Sequence, residues 1–220
     1  ANEAYARAAT NDPADATTWQ DWFAVCNATQ EYDRLRNALI NNVNRLRQVR
    51  EDDVMLATAT EAERAQALSA AQLWLAKTFE VGYTNIDRAA QAYRAAVLQA
   101  PERFETWVNY AVFAERHQRV DGLQEAIKVA AAQATDEAPL PPAIAALANT
   151  LADDPETIER GTTALWASFR SYRPRPDMTH DTAFGWAARR ALAALDRAAV
   201  DAPDAFCRAY LDTGLLFTGL

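Results

Sequence analysis

Glycine, cysteine, histidine and lysine are all scarce in this chain, and each shortage closes off a class of chemistry. The 6 glycines among 220 residues form no phosphate-cradling loop and no dinucleotide-binding fingerprint. Cys26 and Cys207 are the only cysteines and stand in no CxxC or zinc-ligand spacing. Both lie in apolar helical context, so buried free thiols are expected. His117 and His180 stand alone, with no HExxH motif and no GxSxG nucleophile elbow elsewhere. No catalytic, metal-binding or cofactor-binding constellation emerges, and the expectation is a protein that is not an enzyme and holds no cofactor.

Other absences bound the partners. No apolar run approaches the roughly 20 residues that span a bilayer, so no transmembrane segment is expected and the chain reads as soluble. The start, Ala1-Asn2-Glu3-Ala4-Tyr5, has neither a basic region nor an apolar core of the kind that directs export. Lys77 and Lys128 are the only lysines among 22 basic residues; the rest are arginine. Net charge is −8 with a pI near 4.8, a balance that argues against nucleic acid as the main partner.

What is present favours helix throughout. Half of the residues are apolar and alanine is abundant, while β-branched runs and Asn-Gly or Asp-Gly hairpin turns between alternating segments are missing. The expected fold class is all-α. A block of spaced residues also occurs twice, 88 positions apart: Ala1, Tyr5, Ala8, Pro13 and Trp19, then Ala89, Tyr93, Ala96, Pro101 and Trp107. A weaker third copy reads Ala191, Leu195, Ala198 and Pro203. The Ala, aromatic and Ala positions share one helix face. The proline ends that helix and suits the first turn of the next. The tryptophan then faces back onto the pair.

This helix–corner–helix pattern resembles the tetratricopeptide repeat, in which Trp lies early in helix A and an Ala–aromatic–Ala series followed by Pro marks helix B. Leu123, Ile127 and Ala130 fit the helix-B positions after Trp107, with Thr135 where Pro is expected. Trp74 precedes Ala89 by fifteen residues where the family has sixteen. Residues 31–70 and 136–180 match poorly. The resemblance implies antiparallel helix pairs stacked as an irregular α-solenoid of about eleven helices; the alternative is an irregular all-α domain. Trp107, Tyr110 and Phe113 also resemble the half-a-TPR variant of RNA-processing scaffolds, although Ala114 separates Phe113 from Glu115 where the variant wants Glu directly after Phe. Ala1 falls within helix B of a repeat, which suits a chain processed for an organelle or the periplasm and equally a trimmed cytosolic one.

Along the chain, Asp15 should cap a helix carrying Trp19, Trp22, Phe23 and Cys26. Residues 31–49 carry a stripe of Leu35, Leu39, Val43, Leu46 and Val49. Thr60 with Glu63, and Thr84 with Asp87, form capping-box patterns. Gly82 breaks the helix begun at Thr60, Pro101 starts the next but one, and Asp121-Gly122 marks a turn. Asp154 should cap a helix from Pro155 to residue 172. The whole reads as one helical domain, residues 1–220, with a soft break at the three prolines of 136–142.

The resemblance implies that partners lie along the face made by successive A helices. Around Trp19 this points to Gln20, Asp21, Ala24 and Asn27; around Trp107 it points to Val108, Asn109, Val112, Glu115 and Arg116. A second candidate surface is the arginine-rich helix with Arg34, Arg36, Arg45, Arg47 and Arg50, and a smaller cluster is Arg170, Arg173 and Arg175. Trp19, Trp74 and Trp107 read as packing residues, whereas Trp22, Trp166 and Trp186 are less constrained and would anchor an interface if exposed. These features lead to an expected interaction scaffold or accessory subunit that binds one or more proteins within a larger assembly. An RNA-processing half-a-TPR protein and a lumenal or periplasmic ligand-binding helical protein are the alternatives.

Overall fold

In a computed structural model the described residues are 2–12, 15–48, 59–136, 139–152, 154, 156–158, 160–161 and 163–164. All regular structure among them is helical and none is strand, so the fold is all-α. The elements are α1 (Asn2–Asn11), α2 (Ala16–Thr29), α3 (Asp33–Arg47), α4 (Glu61–Lys77), a π turn (Thr78–Gly82) continuing α4, α5 (Ile86–Gln99), α6 (Phe104–Arg116), α7 (Val120–Gln133) and α8 (Pro142–Thr150). No helix among the described residues is long and apolar enough to cross a membrane. The residues fall into two compact units, Ala1–Ala126 and Ile127–Leu220, divided inside α7, upstream of the 136–142 stretch where the prolines predict a soft break.

Local chemistry sets the helix starts. Asp15 accepts the backbone N–H of Thr17 at 2.9 Å and the Thr18 hydroxyl at 2.6 Å; the Thr18 bond, followed by the backbone bonds, holds its carboxyl below the usual range. Thr60 and Glu63 form the full capping box, with Glu63 N–H on Thr60 Oγ1 at 3.2 Å and Thr60 N–H on Glu63 Oε2 at 2.8 Å. Asp154 accepts the Thr157 N–H at 2.8 Å.

Three boundaries differ from expectation. Asn85, not Thr84, caps α5 by accepting the Arg88 N–H; Thr84 has φ of 48° and turns its hydroxyl to the Tyr83 carbonyl. Pro101 precedes α6 instead of starting it, because its carbonyl accepts the Trp107 indole N–H at 2.8 Å and the helix begins at Phe104. The turn before α7 lies at 117–119, where Gln118 has φ of 56°, and Gly122 is already helical. A Cβ on Gly122 would come 3.1 Å from the Tyr110 hydroxyl, so this glycine serves close packing and not a turn.

The first unit is organised on α4, which packs against α2, α3, α5 and α6. Ala67, Leu68, Ser69, Ala70, Ala71, Gln72, Leu73 and Ala76 are all buried on it. Small side chains let α5 approach closely, and the Ser69 hydroxyl donates to the Ala96 carbonyl at 2.8 Å, which satisfies that buried hydroxyl. The second copy of the echo is mostly interior: Ala89, Tyr93, Ala96 and Trp107 are buried and Pro101 is half-buried. The first copy is not. Ala8 is exposed, Ala9 is buried in its place, and Tyr5 is half-buried, stacking on Trp22 at 6.3 Å. Cys26 is buried and free, and burial pushes its thiol up; Cys207, His180 and the third copy of the echo lie outside the described residues. In the second unit, Ile127, Ala130, Leu140, Ile144, Ala146 and Leu147 are buried, and the Pro141 carbonyl accepts the N–H groups of Ile144 and Ala145 in α8.

Candidate functional site

The two residue stripes read from the repeat flank a third that the sequence reading assigns to the core. On α2, Gln20, Asp21, Ala24 and Asn27 are exposed, with Phe23 half-buried among them. Phe23 meets the ring of Trp74 on α4 at 5.4 Å. Lys77, one turn further along α4, places its ammonium 4.4 Å from the Trp74 ring centre. Loss of hydration pushes the Lys77 ammonium down, with Glu105 of α6 and Glu80 opposing the shift. Glu105 begins the α6 stripe that continues through Asn109, Val112 and Arg116 at helical spacing. Phe23, Trp74, Lys77 and Glu105 thus link the two stripes across three helices.

Trp74 reaches this surface beside a neighbour that takes the interior position. Leu73 is buried at 3% exposure. Trp74 follows about 100° further round the helix and is only half-buried. Trp22, which would anchor an interface if exposed, is instead completely buried: it stacks on Trp19 at 6.1 Å and its indole N–H donates to Asn2 Oδ1 at 3.1 Å. Trp166 and Trp186 lie outside the described residues, as do Arg50, Arg170, Arg173 and Arg175.

Among the α6 residues, Val108 is buried at 6% exposure, which removes it from any accessible face of the unit. Asn109 is half-buried and donates to the Glu105 carbonyl at 2.8 Å. Val112 is half-buried and Arg116 is exposed. Arg116 reaches Glu80 of the π turn at 2.8 Å. Glu80 also accepts the Tyr93 hydroxyl at 2.8 Å and lies 3.1 Å from His117 Nε2. The His117 ring rests on Phe113 at 4.9 Å. Burial, and then the charge of Glu80, push the Tyr93 phenol well above its ordinary value. This cluster ties the π turn, α5 and α6 together, and Glu80 has no motif that would mark it in the sequence.

The arginines of α3 do not form one basic stripe. Arg34 and Arg45 line a groove bounded by α1, α2 and α3, together with Trp19, Asn37 and Asn41. Arg36 turns the other way, pairing with Asp33 at 3.2 Å and lying 4.9 Å over the Tyr83 ring. Tyr83 donates to Asp33, and burial with that bond pushes its phenol up to about 12. Arg47 lines a separate groove between α3, α4 and α5. In comparisons with known proteins, no family model matches the chain, and neither does any curated protein or solved structure.

Proposed function

We propose that this chain is a non-catalytic interaction scaffold or accessory subunit, built as an irregular TPR-like α-solenoid of about eleven helices. Each of α1 to α6 packs chiefly on helices one or two places away in the chain, which supports a stacked-repeat reading. The observation that carries the function is the half-buried Trp74 between Phe23 and Lys77, flanked by the α2 and α6 stripes. A partly exposed tryptophan is the residue type most favoured as an interface anchor, and the Lys77 ammonium over its ring helps to hold it in place. A protein partner would cover Trp74, Phe23, Gln20, Asn27, Asn109 and Val112. The division of the α3 arginines over two faces gives the RNA-processing alternative less support.

The test is co-isolation from the native source, comparing the wild-type chain with Trp74→Ala and Lys77→Glu while melting temperature is monitored. A defined partner retained by the wild type and lost by both folded variants supports the reading. The same partner retained by both variants at wild-type level overturns the Trp74 surface as its site.

A further inference from the structure

The groove between α3, α4 and α5 lies on the side of α4 away from Trp74. Gln72, Leu75 and Phe79 line it, about 100–160° round the helix from Trp74. Its volume is about 340 Å³, near the lower end of ligand-site sizes of roughly 300–1,000 Å³. Gln72 is only 3% exposed, and its buried Oε1 has no hydrogen-bond partner. A buried amide oxygen left unpaired is costly and demands a reason. Arg47 and Arg88 are exposed at the groove, Arg88 lying 5.7 Å over the Phe79 ring, and no carboxylate lines it. On a chain with net charge −8, such a lining is selective for negative charge.

The helices fix where these groups stand. Tyr83, just after α4, bonds Asp33 at the start of α3, so α3 and α4 are antiparallel. Ser69 bonds the Ala96 carbonyl while Arg88 lies over Phe79, so α4 and α5 are antiparallel too. Arg47, late in α3, therefore falls near Gln72, and Arg88, early in α5, falls near Phe79. Counted from the Tyr83–Asp33 and Arg88–Phe79 contacts, Arg47 stands about level with Ser69, one turn before Gln72, and Arg88 with Phe79, so the two arginines mark opposite ends of the groove about 15 Å apart along α4 at 1.5 Å per helical residue. An extended chain covers that span in about four residues at roughly 3.3 Å each, with side chains i and i+4 on the same face.

We propose that this groove binds an extended acidic peptide segment of a partner protein, with carboxylates four residues apart on Arg47 and Arg88 and a main-chain amide paired to Gln72. An extended segment offers free N–H and C=O groups to the Gln72 carboxamide, whereas a helix has already satisfied its own. The terminal torsion of glutamine is soft, so its amide turns to present either atom. The inference extends the scaffold reading to a second face and does not depend on the Trp74 surface.

The experiment uses the whole chain and fluorescein-labelled decapeptides rich in Val and Thr, with two glutamates at i and i+4. Comparison peptides carry the glutamates at i and i+2, or lysines at i and i+4, and an oligouridylate of similar length completes the set. The i and i+4 acidic peptide should bind best by fluorescence anisotropy at low salt. Gln72→Met, which keeps the volume and removes the amide, should weaken it roughly five- to tenfold without lowering the melting temperature. Arg47→Ala and Arg88→Ala should each weaken binding and flatten its salt dependence. The proposal is overturned if the acidic peptide does not bind, if Gln72→Met leaves its affinity unchanged, or if oligouridylate binds more tightly through the same arginines. Failure of the acidic peptide to bind, with a partner still co-isolated through Trp74, would sink the groove and leave the scaffold reading standing.

Discussion

Tyr32 packs so closely on Gly82 that a Cβ at residue 82 would come 2.5 Å from its Cγ and 2.7 Å from its Cδ2. Gly82 does not have positive φ, so the requirement is for space alone. Tyr32 cannot retreat: it is buried at 4% exposure, its ring meets Phe23 at 6.1 Å, and its hydroxyl donates to Asn27 at 2.8 Å. Gly82→Ala should therefore destabilise the first unit by about 1–3 kcal/mol through overpacking. The double variant Gly82→Ala, Tyr32→Leu should cost less than the sum of the two single changes. Urea denaturation of all four proteins checks this, and additivity would mean that the two residues do not collide.

The capping box gives a pH-dependent prediction. Bonds from Thr60, the backbone one first, hold the Glu63 carboxyl below its ordinary 4.5, and Asp15 is held below 3.8 by Thr18. A lowered folded-state value means that the stabilisation is complete above the unfolded value and is lost as pH falls through the folded one. Stability should thus be level from neutral pH to about 5 and decline below that. Thr60→Ala should cost about 0.5–2 kcal/mol at pH 7, and its stability should fall less steeply than the wild type's between pH 5 and pH 3. Denaturation midpoints taken across that range measure both effects.

Most helix positions were legible because their signals are local. Leu35, Leu39, Val43 and Leu46 are spaced for one face and are all buried, and Asp15, Thr60 and Asp154 cap the helices they precede. Two of the three missed boundaries share a cause, a more distant residue taking the group on which the local rule relies, whereas Thr84 simply turns its hydroxyl to the neighbouring Tyr83 carbonyl and leaves the cap to Asn85. Trp107 claims the Pro101 carbonyl, and Tyr110 requires the small residue at Gly122. Trp74 does pack against the core, on Phe23, but only half-buried, while its neighbour Leu73 is buried; a difference of one residue in so apolar a segment is not resolved by periodicity alone. Gln72 and Glu80 carried no signal. A glutamine or glutamate in an alanine-rich helix reads as solvent-facing until its neighbours in space are known.

Glu80 is buried at 8% side-chain exposure yet serves the Tyr93 hydroxyl, Arg116 and His117. Glu80→Ala should strand the Tyr93 hydroxyl at 2% exposure and cost about 1–3 kcal/mol. Arg116→Ala should cost under about 1 kcal/mol, because its guanidinium is mostly solvated. Adding Tyr93→Phe to Glu80→Ala should recover part of the loss, since no buried hydroxyl then lacks a partner. Recovery in thermal or urea unfolding distinguishes this from a simple loss of packing.

Lys77 stands at the Trp74 surface at a cost to stability. Loss of hydration lowers its folded-state value below 10.5, so its penalty is fully present at neutral pH and is relieved as pH rises through the folded value. Lys77→Met should be neutral or stabilising by up to about 1 kcal/mol at pH 7. That advantage should shrink as pH rises towards and past 10.5, above which the wild-type lysine is neutral in both states. A constant difference across pH 7 to 10.5 would show that packing alone accounts for the gain.

The adjacent pair Leu73 and Trp74 separates core from surface most sharply. By size alone Trp74→Ala should be the more damaging change, since truncating a buried tryptophan costs about 3–5 kcal/mol. Leu73 is 3% exposed on the central helix, whereas Trp74 is half-buried with its outer face beside Lys77. The order should therefore invert: Leu73→Ala should cost about 2–5 kcal/mol and Trp74→Ala clearly less. Binding should show the opposite order, because truncating Trp74 removes the proposed anchor while the fold that presents it persists. Urea denaturation and partner co-isolation on the same two variants measure both. Equal stability losses would return Trp74 to the core and take the proposed binding surface with it.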